Sequence, residues 1–366
     1  MIPPLRNAIV LGAVLAAAPA LAQGRISGGT ITTRPVAQSL AAEVRATAGR
    51  ATGSWIGYRM PMVAGPRQMC CYDSVSSAGP GGAGICRLES GGGISMSTGE
   101  SRDARSSRVV LEPATEFLIL ARLENGAVTR IRTFSPDCDV DASGASFVWL
   151  TAVRPDDSLA WLASLVTSSA ETGEGHDRVG KTSLAAIALH EGGAADRVLE
   201  DFVASSRPEW LRGETAFWLG STRGEAGATV LARMIVQDPS DKVRDKVTFG
   251  LSVSKSPLAL TTLVAAARGD RSTRVRGQAL FWLAQKAGRD ALATISGALD
   301  ADPDTEVKKK AVFALSQLPE HEGVPKLMDV ARNNRNPEVR KQAMFWLGQS
   351  KDPRAVQFFE DILLKK

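Results

Sequence analysis

The sequence predicts an α-solenoid of repeated helix pairs, preceded by a small, mostly antiparallel α+β domain. In the second half of the chain, apolar residues recur at a constant spacing of 32 positions. A fixed period of about 20 to 50 residues is typical of arrays in which each unit covers its neighbour's apolar face. All four cysteines and the strand-like segments precede this array. The six residues of the register are Val179, Leu211, Val243, Val275, Val307 and Val339.

The first 22 residues have the pattern of a secretory signal peptide. Arg6 precedes an apolar run over 8–18 and the small-residue motif Ala20-Leu21-Ala22. We expect cleavage before Gln23 and an exported protein, periplasmic, or extracellular where the host has no outer membrane. The run is shorter than the roughly 20 apolar residues that a membrane-spanning helix needs, so we predict no membrane span.

The front domain is expected over 23–153, with a flexible start, one short helix and several strands. Residues 23–35 are rich in Gly, Ser and Arg, which favours a flexible segment. Asn125-Gly126 supplies the positive φ angles of a tight turn and therefore predicts a hairpin. The expected helix spans 37–48, and the expected strands span 54–63, 67–73, 84–89, 116–123, 128–134 and 147–153.

The four cysteines, Cys70, Cys71, Cys86 and Cys138, favour disulfides, because an exported protein folds in an oxidising compartment. Neighbouring residues on a strand point to opposite faces, so Cys70 and Cys71 should each bond a distant partner. We expect one bridge to Cys86 and another to Cys138, with the assignment of the two neighbours left open. A metal site is less favoured, because the domain has neither a Cys-x-x-Cys pair nor a histidine.

Asp137, Asp139 and Asp141 alternate in one short segment, which makes them weak candidates for a calcium site. The sixth and twelfth loop positions are Ala142 and Val148, where an EF-hand needs glycine and glutamate. The alternative is a polar turn whose side chains bond their own backbone. We predict no catalytic residue and no cofactor, because the domain lacks a nucleophile elbow and a histidine base.

The array is expected over 154–366, with a leading helix over 158–166 as its N-terminal cap. We expect one core stripe on the helix that contains the register residue. The position after each Phe alternates between large and small side chains, which indicates packing between layers; an aromatic ladder for sugar or peptide binding is the alternative. The Phe and Leu positions are Phe217 and Leu219, Phe249 and Leu251, Phe281 and Leu283, Phe313 and Leu315, and Phe345 and Leu347, and the alternating column is Ala186, Trp218, Gly250, Trp282, Ala314 and Trp346.

The motif from Asp238-Pro239 to Val243-Arg244, followed by Ala, Phe and Leu, resembles HEAT repeats, in the short bacterial form first associated with phycobilin lyases. The resemblance covers about 177–366. It implies that aspartate and arginine bond between adjacent units. Lys308 and Asn334 depart from the pattern and should weaken the last contact. The residues that would form these structural contacts are Asp238, Arg244, Asp270, Arg276, Asp302, Lys308 and Arg340. The front domain loosely resembles segments beside HEAT-like arrays in exported bacterial proteins of unassigned role.

The resemblance also implies that the second helix of each unit lines the concave side and meets the partner. Its mixed charge and scattered apolar groups suit a protein or peptide, although an ordinary solvated face has the same composition. The partner-binding candidates are Arg197, Glu200, Asp201, Arg233, Val236, Val264, Arg268, Met328, Asp329 and Arg332.

The formal net charge of +5 is spread evenly, which argues against nucleic acid as a partner. Residues 23–150 hold 13 Arg and 11 acids, and residues 151–366 hold 30 basic and 28 acidic residues. We therefore predict a non-enzymatic protein-binding scaffold of the cell envelope. The alternative is an enzyme or a ligand or calcium sensor with its site near Asp137–Asp141.

Overall fold

The computed structural model describes residues 25–49, 53–65, 69–70, 85–89, 114–171 and 178–364. The expected signal peptide, Cys71 and most of the expected strand over 67–73 lie outside the described residues. The first part combines strands with a helix, and the second part is a succession of helices. The predicted order, an α+β domain followed by an α-solenoid, is confirmed.

The main sheet has five strands in the order β2-β8-β3-β5-β6. β2, β8 and β3 run parallel, whereas β3, β5 and β6 run antiparallel. A second sheet, in the order β1-β7-β4, is parallel throughout. The strands are β1 (Arg25–Ser27), β2 (Thr30–Pro35), β3 (Ser54–Pro61), β4 (Cys86–Arg87), β5 (Glu116–Glu124), β6 (Ala127–Phe134), β7 (Asp139–Asp141) and β8 (Ser146–Thr151).

The sheets are thus mixed rather than mostly antiparallel. The antiparallel β5–β6 hairpin is local, and its turn has the expected positive φ angles at Asn125 (51°) and Gly126 (80°). The parallel pairs join distant segments, as in Thr30 with Ser146, and no local pattern encodes them. The expected flexible start was wrong for the same reason, because β1 and β2 form by pairing with β7 and β8.

The helices follow the predicted alternation. After α1 (Leu40–Ala48), α2 (Pro155–Glu171) leads into the array. The register helices, which contain the register residues, are α3 (Arg178–Leu189), α5 (Glu209–Thr222), α7 (Asp241–Val253), α9 (Thr273–Ala287), α11 (Thr305–Ser316) and α13 (Pro337–Gln349). The second helices are α4 (Gly193–Phe202), α6 (Gly224–Gln237), α8 (Pro257–Gly269), α10 (Leu292–Ala301), α12 (Val324–Asn333) and α14 (Pro353–Leu364). Among the described residues, no helix combines the length and apolar character required to cross a membrane.

The central strands β3 and β5 are buried on both faces of the main sheet. Successive residues of a strand point to opposite faces, so these strands contribute to two cores. On one face, Ile56, Tyr58 and Phe117 belong to a hydrophobic core that continues through the helices as far as α14. On the other face, Trp55 and Leu118 pack with the small second sheet. The sheet therefore forms the first layer of the stack.

Candidate functional site

Three arginines join neighbouring repeats through buried, two-pronged ion pairs. Arg244 on α7 donates from Nε and Nη2 to the carboxylate of Asp270, at 3.0 and 3.1 Å. Its Nη1 donates to the carbonyl oxygen of Asp238, six positions earlier in the same motif, at 3.0 Å. Arg276 bonds Asp302 in the same way, at 2.7 and 3.0 Å. The planar guanidinium fork matches a carboxylate, so each pair fixes the register between layers.

Arg212 forms the first of these pairs, with Asp238 at 2.8 and 3.0 Å, and sequence analysis missed it. The sequence does contain an indication, because Arg212 follows the register residue Leu211 as Arg244 follows Val243. Burial alone would raise the pKa of the Asp302 carboxyl. Hydrogen bonds from Arg276 and from the backbone of Asp304 outweigh burial and hold that pKa below its ordinary value.

The last joint lacks such a pair. Arg340 on α13 donates to the carbonyl oxygens of Asn334 and Arg335, at 2.7 and 3.2 Å. The Asn334 side chain accepts from the backbone nitrogen of Asn336 at 3.0 Å. Within the described part of the chain, no hydrogen bond or ion pair joins Lys308 to Asn334. Among these described residues, the fourth joint therefore has no arginine–aspartate pair, and a 2.9 Å hydrogen bond from Asn336 Nδ2 to Thr305 Oγ1 crosses it instead.

The Phe positions are not core, which corrects the expected single stripe. Leu219, Leu251 and their counterparts are at most 2% exposed, whereas Phe249 is 37% and Phe345 is 54% exposed. The other three Phe side chains are half-buried. Residues two positions apart on an α-helix lie about 200° apart around its axis. Because the leucine points inward, the phenylalanine two positions earlier points outward.

The outward aromatic rings touch one another from layer to layer. Phe217 stacks on Phe249 at 5.5 Å between centroids, and Trp282 packs against the same Phe249 at 4.9 Å. Phe281 stacks on Phe313 at 5.7 Å. We call this connected set the aromatic ladder; its members are Phe217, Trp218, Phe249, Phe281, Trp282, Phe313, Phe345 and Trp346.

The large and small residues that alternate after each Phe explain how the ladder fits together. Trp282 leans onto Phe249 of the preceding layer, where the next residue is Gly250 rather than a second tryptophan. Trp346 leans onto Phe313 in the same manner, at 5.0 Å. A Cβ atom at Gly250 would collide with the carbonyl oxygen of Ala216. The same tryptophans therefore pack between layers and connect the exposed phenylalanines into one ladder.

The register helices pack more closely than the second helices. A Cβ atom at Gly220 on α5 would collide with the backbone of Gly250 on α7. Neighbouring register helices touch along more of their length than neighbouring second helices do. Open grooves of about 750 Å³ and 550 Å³ separate α2 from α4 and α8 from α10.

The ten partner-binding candidates lie on second helices, where each is exposed or half-buried. Arg197 and Asp201 line the groove between α2 and α4. Arg233 reaches Glu200 of the preceding second helix at 3.3 Å. Hydrogen bonds from Asn333 and Lys326 lower the pKa of Asp329. Val236, at 71% exposure, is the most exposed apolar member of the set. The structure thus brings Arg197 and Asp201 into one groove and spreads the rest along the array.

The three candidate calcium ligands do not converge within the described part of the chain. Asp139 lies 3.5 Å from Arg25, and Asp141 accepts a 2.8 Å hydrogen bond from the backbone nitrogen of Ser143. Asp137 lies near the sulfurs of Cys70 and Cys138, but these are bonded to each other and offer no thiolate. The Asp141 contact is the side-chain-to-backbone bond that the polar-turn interpretation describes.

The Cys70–Cys138 disulfide is present and lies in the second core, beside Trp55 and Leu118. Cys86 is also disulfide-bonded. The sequence left open which neighbour bonds Cys86; with Cys70 bonded to Cys138, the expected scheme leaves Cys71, which lies outside the described residues.

A buried polar network at the junction of sheet and array was not predicted. The Ser158 hydroxyl lies 2.9 Å from both the Tyr58 hydroxyl and His190 Nε2, while His190 Nδ1 lies 2.7 Å from the carbonyl oxygen of Ala186. Burial lowers the pKa of His190 to about 4 and raises that of Tyr58. Tyr58, Ser158 and His190 are fully buried, so no substrate can reach the Ser158 hydroxyl or the His190 ring. The network instead joins the sheet to the first helices of the array.

The family model for HEAT repeats matches residues 260–345 and 292–366. Among solved structures, the CpcE–CpcF complex of phycocyanin lyase from Nostoc sp. PCC7120 is 17% identical, with a TM-score of 0.33 and 43% of this chain and 97% of that chain covered. A complex of Kap95p with RanGDP is 17% identical, with a TM-score of 0.36 and coverage of 54% and 30%. Human deoxyhypusine hydroxylase with glycerol is 15% identical, with a TM-score of 0.25 and coverage of 56% and 89%. No curated protein matches the chain.

Proposed function

We propose that this chain, whose residues 260–366 match the family model for HEAT repeats, is an exported scaffold that binds protein partners through its array and performs no chemistry. The observation that carries the proposal is the single hydrophobic core that runs from the sheet to α14. A stack with a shared interior holds its outer side chains in fixed positions. Such preorganisation reduces the entropy lost on binding.

Two features support export. Residues 1–22 have the signal-peptide pattern, and Cys70 and Cys138 form a buried disulfide. Disulfides persist in oxidising compartments such as the bacterial periplasm. Fractionation of the native host should therefore find the chain in the periplasm, or in the medium if no outer membrane exists. Recovery in the cytoplasmic fraction with an intact N-terminus would contradict this part of the proposal.

Two surfaces are available to a protein partner. The second-helix face offers separated charges, exposed Val236 and the groove between α2 and α4. The register-helix face offers the aromatic ladder. Neither face has the uniform positive charge that neutralises phosphates, so both favour protein over nucleic acid.

Quantitative affinity capture from cross-linked native cells tests the proposal. The intact tagged chain is compared with two variants, Arg197→Glu with Arg268→Glu on the second-helix face, and Lys341→Glu with Phe345→Ser on the register-helix face. These four side chains are exposed, so both variants should retain the melting temperature of the intact chain. We expect a protein that the intact chain enriches and at least one variant loses. Absence of such a protein, or equal enrichment by all three chains, would contradict the proposal.

A further inference from the structure

The aromatic ladder is a continuous apolar line at the surface. Phe249 and Phe345 are 37% and 54% exposed, and the remaining rings are half-buried. A large apolar side chain left in water forgoes the favourable free energy of burial. Single exposed residues are ordinary, but a contiguous apolar line is typical of an interaction site.

The orientation of the rings limits what the ladder can bind. Phe217 and Phe249 lie within 14° of parallel, and Phe281 and Phe313 at 0°. Each ring of a stacked pair has one face against its partner, so that face is closed to a ligand. Sugars and nucleic-acid bases need open ring faces for stacking. Ring edges carry partial positive charge, so they favour apolar side chains and carboxylates instead.

The charges beside the ladder change along the array. In α5 and α7, four basic and four acidic residues cancel, and Lys246 pairs with Glu214 at 3.5 Å and Arg274 of α9 with Asp245 at 2.9 Å. Together, α11 and α13 contain five basic and two acidic residues, so this part of the array has an excess of positive charge. Exposed Lys310 and Lys341 have no ion-pair partner among the residues that the structure describes, with the acid Glu338 one turn before Lys341.

We propose that the C-terminal half of the aromatic ladder docks an acidic, apolar segment of a protein partner. The partner's apolar side chains lie against Phe313 and Phe345, and its carboxylates bond Lys310 and Lys341. This inference rests on the proposed function and specifies the surface and the partner's chemistry. It places the contact on the closely packed register-helix side rather than on the second helices.

Fluorescence anisotropy with short labelled peptides tests this assignment on the full chain. The probe is a peptide of alternating Glu and Leu. One control replaces every Glu with Lys, and another replaces every Leu with Ser. We expect the acidic, apolar peptide to bind at least about tenfold more tightly than either control, and more weakly at high salt.

Matched variants locate the site. The double variant Lys310→Glu with Lys341→Glu should weaken binding of the acidic, apolar peptide by at least about tenfold, and Phe345→Ser should weaken it several-fold. The control variant, Arg197→Glu with Arg268→Glu, reverses two charges on the second-helix face and should leave binding of the peptide unchanged. Melting temperatures verify that all variants fold. Equal binding of the basic peptide, unchanged binding by the two ladder variants, or displacement of the probe by single-stranded oligothymidylate or a neutral oligosaccharide would overturn the inference. A cellular partner lost only by the second-helix variant would uphold the proposed function and refute this inference.

Discussion

The joints in the middle of the array differ from the joint at its C-terminal end. Arg212, Arg244 and Arg276 each bond a buried aspartate of the next unit with two hydrogen bonds. Within the part of the chain that the structure describes, Arg340 bonds backbone carbonyls alone. In a stack where each repeat contacts only its neighbours, stability is approximately a sum of local interfaces. The last unit should therefore open at a lower free energy than the central ones.

The joint at the N-terminal end is of a third kind. The C-terminal end of the central strand β3 reaches the array through backbone hydrogen bonds, from Val63 N to Leu189 O at 2.9 Å and from Glu191 N to Pro61 O at 3.2 Å. Beside them, His190, Ser158 and Tyr58 form neutral, buried hydrogen bonds. Arginine–aspartate pairs thus join the units at the centre of the stack, whereas the N-terminal joint combines these neutral groups with Arg223, which donates to the carbonyl oxygen of His190 at 2.8 Å.

Removal of a central arginine should have the largest effect. Arg244→Ala leaves the Asp270 carboxylate without its partner, and loss of one member of a buried pair costs about 3 to 5 kcal/mol. Urea titration measures the free energy of unfolding. Arg340→Ala is the matched control and should cost about 0.5 to 1.5 kcal/mol. Equal losses would remove the distinction between central and terminal joints.

The N-terminal joint should make the free energy of unfolding depend on pH. The folded pKa of His190 is about 4, below its ordinary 6.5, so between these values the unfolded chain binds a proton that the folded chain excludes. The contribution of His190 to the free energy of unfolding is therefore fully present above pH 6.5, and it is lost as the pH falls from 6.5 towards 4. The shift corresponds to about 3 kcal/mol. Urea titrations across this range should follow that decline, and His190→Gln should flatten it. An unchanged slope in the variant would assign the decline to other groups.

Repair of the last joint should have the smallest effect. Asn334→Asp combined with Lys308→Arg recreates the residue pair of the central joints. Because a new ion pair must offset the desolvation of both charges, we expect a gain of at most about 1 kcal/mol. Hydrogen exchange should show slower opening of α13 and α14, with Lys308→Arg alone as the control. A loss of stability in the double variant would show that the sequence differs here for reasons of packing.

How much of this could be predicted depended on whether a feature is local or periodic. The register from Val179 to Val339 gave the helix order, and Asn125-Gly126 gave the hairpin. The parallel strands β1 and β2 escaped prediction, because their partners lie more than a hundred residues later. The His190 network escaped for the same reason, since Tyr58 and Ser158 are 100 positions apart.

The aromatic surface was accessible from the sequence but was assigned to the core. Phe281 and Leu283 differ by two positions, so helical geometry alone places them on nearly opposite sides. The alternation of Trp282 with Gly250 and Ala314 did indicate contact between layers. The sequence did not show which of the two positions, Phe or Leu, faces the neighbouring helices. That orientation depends on how closely the register helices approach one another.

Photo-cross-linking in living cells of the native host tests the central claim most directly. A photoreactive phenylalanine analogue is placed at Phe345 on the ladder, at Val236 on the second-helix face and at Ile85 in the front domain, three apolar positions with 54%, 71% and 61% exposure. The account predicts a discrete protein adduct from Phe345 that is weaker or absent from Ile85. No adduct from either array position, or the same adducts from all three, would contradict the claim that the array docks a protein.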